Sequence, residues 1–331
     1  MITFSRAPAR LGLGGGGTDI AEYFENHKGA VLNATIAQYV YCTITYKNTE
    51  LSCRSIDKGL RENSEAAETN LPLHWATINY FKRNLNVEPM KIELSTFTDI
   101  PEGSGLGTSS ALVVAMVTAL AHHHKIDLSR EELVKAAYTI ERKICAISGG
   151  YQDFIASVYG GFNFTEFNGL DDFLVHPLKI QRSKLIELEN TLFLIFTGLS
   201  RSSSKIIKDQ SASIHDINRL NQMHKVKEAA YDLKKHLIKG DYTSFKNVFR
   251  DAWEAKKLTS SSITNPTIDE VEKQLFQRGA EAIKISGAGG GGFMMVFGDE
   301  TRVLELKDWA KKNHNVRDVS FTQHGVEAWS R

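Results

Sequence analysis

The chain has 331 residues, enough for two domains or one large one with a full core. Its 40 basic and 39 acidic side chains leave a net charge of +1, so it lacks the basic footprint of a nucleic-acid protein or a binder of anionic membranes. Three cysteines at unrelated spacings, Cys42, Cys53 and Cys145, argue for reduced thiols in a cytoplasmic protein, not a disulfide framework or a zinc site. The N-terminus has no apolar core of signal-peptide type, and no apolar run is long enough to span a bilayer.

In chain order, Ile2 to Ala7 alternates as a short strand and leads into Pro8, Arg10 and a run of glycines. Thr18-Asp19 opens a short helix through Phe24. Asp19 with Glu22 three residues on reads as a capping box. Ala30–Ile36 and Tyr39–Tyr46 are β-rich and predict a pair of strands. Residues 57–69 are polar and predict a surface loop, Leu71–Asn84 a helix, and Lys91–Leu94 a strand.

Pro101–Ala111, PEGSGLGTSSA, then organises the chain. Glycines at 103, 105 and 107 let the backbone turn its N–H groups toward one point, with no Cβ to hold a ligand off. The apolar run LVVAMVTALA behind them predicts a buried helix, whose N-terminus adds unpaired N–H groups and a positive dipole end. Together these make a phosphate site. The competing reading is a Gly-rich turn that caps a helix. No Lys follows the glycines, so this is not a Walker loop, and the spacing from the preceding strand fits a dinucleotide fingerprint poorly. The hydroxyls of Thr108, Ser109 and Ser110 are candidates for capping, for magnesium, or for both.

His122–His124 end that helix. Consecutive residues diverge around a helix, so a solvated terminus is expected rather than a metal site. The next helix starts at Ser129. On it, Glu141 lies at the edge of the apolar stripe of Val134 and Ala137, with no Lys or Arg three or four residues away. A carboxylate so placed seeks a cation; a snorkelling surface Glu is the alternative. Asp153 follows Gly149-Gly150 and reads as a helix cap.

In the second half, Thr191–Thr197 is an apolar strand. SSSKIIKD, Asn218–Leu237, Tyr242–Leu258 and Thr267–Gln277 predict helices. Glu281–Ile285 and Phe293–Phe297 predict partner strands around a glycine loop. A helix through Lys312 and a strand at Val319–Thr322 finish the chain. Interleaved helices and strands make the class α+β with mixed sheets.

Three stretches resemble the motifs of the GHMP kinases in the order that family has them. They are APARLGLGGGGTD from Ala7 to Asp19, PEGSGLGTSSA, and KISGAGGGGF from Lys284 to Phe293. The resemblance implies an N-terminal ATP-binding domain like ribosomal protein S5 domain 2 (residues 1–185). It implies a ferredoxin-like C-terminal domain (186–331), with the active site between the two. ATP would lie on Gly103, Ser104, Gly105, Leu106, Gly107, Thr108, Ser109 and Ser110. Magnesium would be held by Glu141 and, by alignment, Ser109; relatives often have Ser-Ser-Ala where this chain has Thr-Ser-Ser, so Ser110 is an equal candidate. Asp153 would be the general base, with Arg10 beside it. Gly16, Gly17, Thr18 and Asp19 would hold the sugar, and Gly289 and Gly290 would close the site over it.

The GGGGTD form is similar to the branch that holds the bacterial heptose 7-phosphate kinases and the kinase domain of fucokinase. That implies phosphorylation of an anomeric hydroxyl, on a heptose 7-phosphate or on free fucose; a non-catalytic sugar or nucleotide sensor is the alternative from another class. Arg201 and Lys205, in GLSRSSSK, are the candidate cradle for the distal phosphate of the former, against a reading as a serine-capped helix start with solvated cations. The partners implied are small molecules, with no nucleic acid or membrane. Oligomeric state stays open, a homodimer included.

Overall fold

In the computed structural model, residues 2–47, 50–63, 68–88, 91–198 and 203–331 are described, with only the backbone of 203–205 and 213. The elements in order are β1 (Ile2–Gly14), α1 (Ala21–His27), β2 (Gly29–Tyr46), β3 (Ser52–Ser55), β4 (Leu60–Glu62), α2 (Pro72–Asn84), β5 (Ile92–Thr98), α3 (Thr108–His123) and α4 (Arg130–Tyr138). A π-helical turn, Thr139–Ile144, continues α4. After it come α5 (Gln152–Tyr159), β6 (Phe162–Gly169), β7 (Asp172–Leu178), α6 (Arg182–Thr191), β8 (Leu192–Phe196), α7 (Ser203–Ser213), α8 (Ile217–Lys239) and α9 (Tyr242–Lys257). The chain ends with α10 (Pro266–Gln277), β9 (Ala280–Ile285), β10 (Phe293–Gly298), α11 (Val303–Asn313), β11 (Asn315–Asp318) and β12 (Glu327–Ser330).

Eight strands form the first sheet, in the order β12-β1-β2-β5-β3-β4, with β6 on β2 and β7 on β6. α3 lies against it and is buried almost all round from Ser110 to Ala121, which is what an uninterrupted apolar helix requires. Alanines at 111, 115 and 119 bring the helix close: the Ser5 hydroxyl of β1 donates to the Ala115 carbonyl at 2.6 Å. The second sheet, β11-β8-β10-β9, is antiparallel throughout. Its side chains alternate between two cores. Leu194, Phe293 and Met295 join Leu11 and Leu13 of β1 and Phe249 of α9, while Ile195, Met294 and Val296 face α10 and α11. The first of these cores is shared by both sheets, which fixes the cleft between them.

Three expectations change. Ala30–Ile36 and Tyr39–Tyr46 are not paired with each other; they are one 18-residue strand, β2. A register shift between Pro8 and Arg10 of β1 leaves 36–38 bulged, so the chain bends without turning back. The predicted strand at Val319–Thr322 fills that bulge, with the Ala37 N–H donating to the Ser320 carbonyl at 2.8 Å and Phe321 bridging Ile36. The strand that ends the chain is instead β12, and it pairs with β1 in the first sheet. The polar stretch 57–69 contains β4, paired with β3. The expected boundary after residue 185 falls inside α6.

Candidate active site

β5 leads into the glycine loop, where Gly103, Gly105 and Gly107 all take positive φ, from 69° to 75°. Gly107 is the N-cap of α3, and no side chain caps the helix. The capping reading of the hydroxyls therefore fails. Ser104 Oγ accepts from the Leu106 N–H at 3.3 Å and meets Thr108 Oγ1 at 3.2 Å, while Ser109 and Ser110 turn toward Glu141. Thr108, Ser109 and Ser110 line a cavity of about 230 Å³ that opens where the two sheets meet.

β1 supplies Arg10 to the same cavity. The residue is 2% exposed; its Nε donates to Asp153 Oδ1 at 2.7 Å and its Nη1 to the Gly105 carbonyl at 2.6 Å. The Arg10 N–H donates to the Leu106 carbonyl at 2.9 Å, tying β1 to the loop. Asp153 stands in the first turn of α5. A Cβ on Gly107 would sit 3.2 Å from its carboxyl carbon, so the third loop glycine makes room for the acid.

Asp19 does not build a capping box. Ile20 is the N-cap of α1, without a side-chain bond. The Asp19 carboxylate accepts instead from the Gly17 N–H and the Gln152 N–H, each at 3.1 Å. Burial pushes its pKa above the usual range; the Gln152 N–H opposes this and the charge of Asp153 adds to it. Gly150 is required here, since a Cβ would stand 2.1 Å from Asp19 Oδ2. Thr18 faces away from the cavity: its hydroxyl donates to the Gly15 carbonyl at 2.8 Å and accepts from the Ala30 N–H at 3.1 Å. Gly17 lines the cavity, and Gly16 lies behind Gln152 and Lys256.

Glu141 is 1% exposed. It accepts from the Ser109 and Ser110 hydroxyls, one on each carboxylate oxygen, both at 2.8 Å. Its local cation is Arg142, at 3.1 Å. In a regular α-helix adjacent residues point apart, and a search at three- and four-residue spacing passes over the pair. Arg142 also donates to Ser110 Oγ at 3.2 Å and lies 4.9 Å from the Phe154 ring centre.

The second half contributes its glycine loop and two lysines. Gly287 and Gly289 line the cavity; Gly290 does not, and its N–H is bonded to the Ile263 carbonyl at 2.7 Å. The loops meet peptide against peptide, with the Phe293 N–H donating to the Ser104 carbonyl at 2.8 Å. Lys256 lines the cavity, and burial brings its pKa down to about 8. Lys284 spans the two halves, its Nζ donating to the Gly12 and Leu13 carbonyls at 2.7 and 3.2 Å. Lys256 and Gln152 do not stand out in the sequence, and Lys284 enters it only as the first residue of a glycine motif, because the contacts that place them are non-local. Ile207 and Gln210 bring α7 to the cavity wall. Arg201 lies outside the described residues and the Lys205 side chain is not described.

The close loop contact gives a first prediction. A Cβ on Gly105 (φ 72°) would stand 2.4 Å from the Ser286 carbonyl oxygen, whereas one on Gly59 (φ 66°) would meet nothing within 4 Å. Left-handed strain alone costs about 1–3 kcal/mol. In urea denaturation, Gly105→Ala is expected to lose more stability than Gly59→Ala. Equal losses would show that the loop contact carries no weight.

A positive-φ glycine loop at a helix start, a buried Arg–Asp pair and a carboxylate–hydroxyl cluster in one cleft define a site for phosphoryl transfer from a nucleotide. Family models confirm the class. The GHMP kinases N terminal domain matches residues 72–161, and GHMP kinases C terminal matches 232–315. The chain belongs to the GHMP kinases, a family that uses ATP. It is 35% identical, over 98% of each chain, to D-glycero-alpha-D-manno-heptose 7-phosphate kinase of Campylobacter jejuni. It shares 25% identity with the L-fucokinase/L-fucose-1-P guanylyltransferase of Bacteroides fragilis, over 94% of this chain and 36% of that one. Among solved structures, a D-glycero-D-manno-heptose 1-phosphate kinase from Bacteroides thetaiotaomicron superposes with a TM-score of 0.83 at 33% identity, covering 99% of both chains. The α+β expectation holds: this is the GHMP kinase fold.

Proposed function

We propose that this enzyme transfers the γ-phosphoryl group of ATP to the anomeric hydroxyl of D-glycero-D-manno-heptose 7-phosphate, giving the 1,7-bisphosphate for nucleotide-activated heptose synthesis. The observation that carries this reading is the 35% identity to the Campylobacter jejuni heptose 7-phosphate kinase over nearly the whole of both chains. The site supports it. The triphosphate lies on the loop of residues 103–110. The base lies in the adjoining cavity, which shares Gly103, Thr108, Ser109 and Ile147 with the first and is walled by Leu71, Phe97 and Leu112. His74 in that wall is held neutral at pH 7, because burial lowers its pKa to about 4.

The oxygen donors of Glu141, Ser109 and Ser110 fit a hard divalent cation such as magnesium. Bound there with ATP, magnesium would neutralise charge on the β- and γ-phosphates. Asp153 accepts the proton of the attacking hydroxyl as its oxygen bonds to the γ-phosphorus. The bridging bond then breaks, and ADP leaves with the electron pair. Arg10 holds the Asp153 carboxylate in place and offsets charge on the moving group. Asp19, buried in the cavity wall, takes sugar hydroxyls. Arg201 and Lys205 take the distal phosphate, Arg through its fork of donors and Lys as a point charge. Reaction in the cytoplasm suits the ATP supply; no helix among the described residues is long and apolar enough to cross a membrane.

The test is ADP release with heptose 7-phosphate, unphosphorylated heptose, fucose, galactose and mevalonate. The phosphorylated heptose is expected to give the highest kcat/KM. A preference for fucose would overturn the substrate, and no turnover with any of them would overturn catalysis.

A further inference from the structure

The reaction above gives tasks to Arg10, Asp153, Glu141 and Asp19. It leaves one buried cation in the cavity wall without one. Lys256 stands near the end of α9 and is 3% exposed. Its Nζ donates to the Gly287 carbonyl at 2.7 Å, the one hydrogen bond it makes among the described residues, though an ammonium has three donors. Arg10 pairs with Asp153 and Arg142 with Glu141, so each already has its counter-charge. Lys256 alone of the cavity's cations has no carboxylate in direct contact among the described residues.

Across from it stands Gln152, 9% exposed, with its backbone N–H committed to Asp19. Its Oε1 is buried and has no hydrogen-bond partner among the described residues. An acceptor left so is costly unless a ligand satisfies it. The two groups approach over the bare face of Gly16. From the position of a Cβ on that residue, Gln152 Nε2 would be 3.4 Å away, Lys256 Nζ 3.6 Å and Gln152 Oε1 4.0 Å. Both line the cavity beside Asp19 and Asp153. A cationic donor with spare protons and an unsatisfied amide acceptor, side by side, complement two neighbouring hydroxyls.

We infer that Lys256 and Gln152 form a subsite that reads adjacent hydroxyls of the acceptor sugar, the ammonium donating to one oxygen and Gln152 Oε1 accepting the proton of the other. Lys256 is thus a specificity residue that the C-terminal half lends to a sugar held mainly by the N-terminal half. It selects a polyol ring over an acceptor with a single isolated hydroxyl. The inference rests on the sugar-kinase reading but not on which sugar is used. Lys256 is faced by Asp19 from the loop after β1, Arg10 from β1, Asp153 from α5 and Lys284 from β9. Burial outweighs the carboxylates and leaves the ammonium half-neutralised near pH 8. The charged donor is present below that pH and lost above it.

The experiment measures sugar and ATP KM separately for wild type, Lys256→Met and Gln152→Leu, with thermal melts as a check on folding. Each variant is expected to raise the sugar KM on the order of 10–100-fold, as loss of a buried or charge-assisted hydrogen bond should, with the ATP KM within twofold. Calorimetric binding of the sugar to nucleotide-free wild type is expected to weaken as pH rises through about 8, and this limb to vanish in Lys256→Met. A sugar KM within threefold of wild type in the folded variants would overturn the inference. So would an equal rise in the ATP KM, which would make Lys256 a support for the glycine loop. If wild type turns over a sugar other than heptose 7-phosphate, the substrate proposal fails, and the same measurements with that sugar decide this one.

Discussion

Asp153→Asn is expected to lower kcat by about 10²–10⁴-fold at saturating ATP, magnesium and sugar, while the protein stays folded. The amide keeps the shape of the acid and keeps an oxygen toward Arg10 Nε, now 2.7 Å away. What it loses is the capacity to take a proton. It also removes the counter-charge of a guanidinium that is 3% exposed and otherwise bonded only to neutral oxygens among the described residues, those of Gly105 and Ser286. A stability loss of about 1–3 kcal/mol follows from that, visible as a lower Tm with an unchanged far-ultraviolet spectrum. Steady-state kinetics separate the two effects, since a folded variant at 15 °C shows the chemical defect alone. Turnover near that of wild type would remove Asp153 from the role of base.

Glu141→Gln is expected to reduce activity on the order of 100-fold at millimolar magnesium, because even supporting contacts of a metal site are worth 10–100-fold and a ligand no less. Gln presents one acceptor where Glu presents two, so the hydroxyl of either Ser109 or Ser110 loses its bond. Arg142, 3.1 Å away, loses its counter-charge as well. Raising magnesium should recover part of the activity, since the defect is one of affinity; a defect that no concentration of magnesium relieves would assign Glu141 to holding Arg142 instead. Ser109→Ala and Ser110→Ala, titrated with magnesium in the same way, separate two hydroxyls that the carboxylate holds at equal distance.

The glycine motifs were legible because their requirement is local. A positive φ or a close peptide contact needs a residue without Cβ wherever it falls, and the spacing of Gly103, Gly105 and Gly107 carries it. α3 was legible from an apolar run that no surface helix would tolerate. Glu141 stands out in the sequence as a carboxylate at the edge of an apolar stripe without a helical partner, but its neighbour Arg142 does not, because the π-turn breaks the spacing on which such searches depend. The bend in β2 was invisible, since the bulge at 36–38 is held open by Ser320 and Phe321 from the far end of the chain. Lys256 and Gln152 carry no motif at all. Lys256 lies on the buried side of α9 among apolar residues, and what it faces there, Asp19, Arg10 and Asp153, comes from the first half of the chain.

The pairing of β12 with β1 has a consequence for how the enzyme comes into being. Phe4 stacks on Trp329, and the two strands are joined by nearly the whole chain between them. While the protein is being synthesised, the outer edge of β1 waits unpaired until Trp329 has left the ribosome. That edge belongs to the strand that carries Arg10, and it presents a row of open backbone groups to any extended segment nearby. During that interval the nascent chain is open to strand exchange with neighbouring polypeptides, and chaperone capture would act most usefully there.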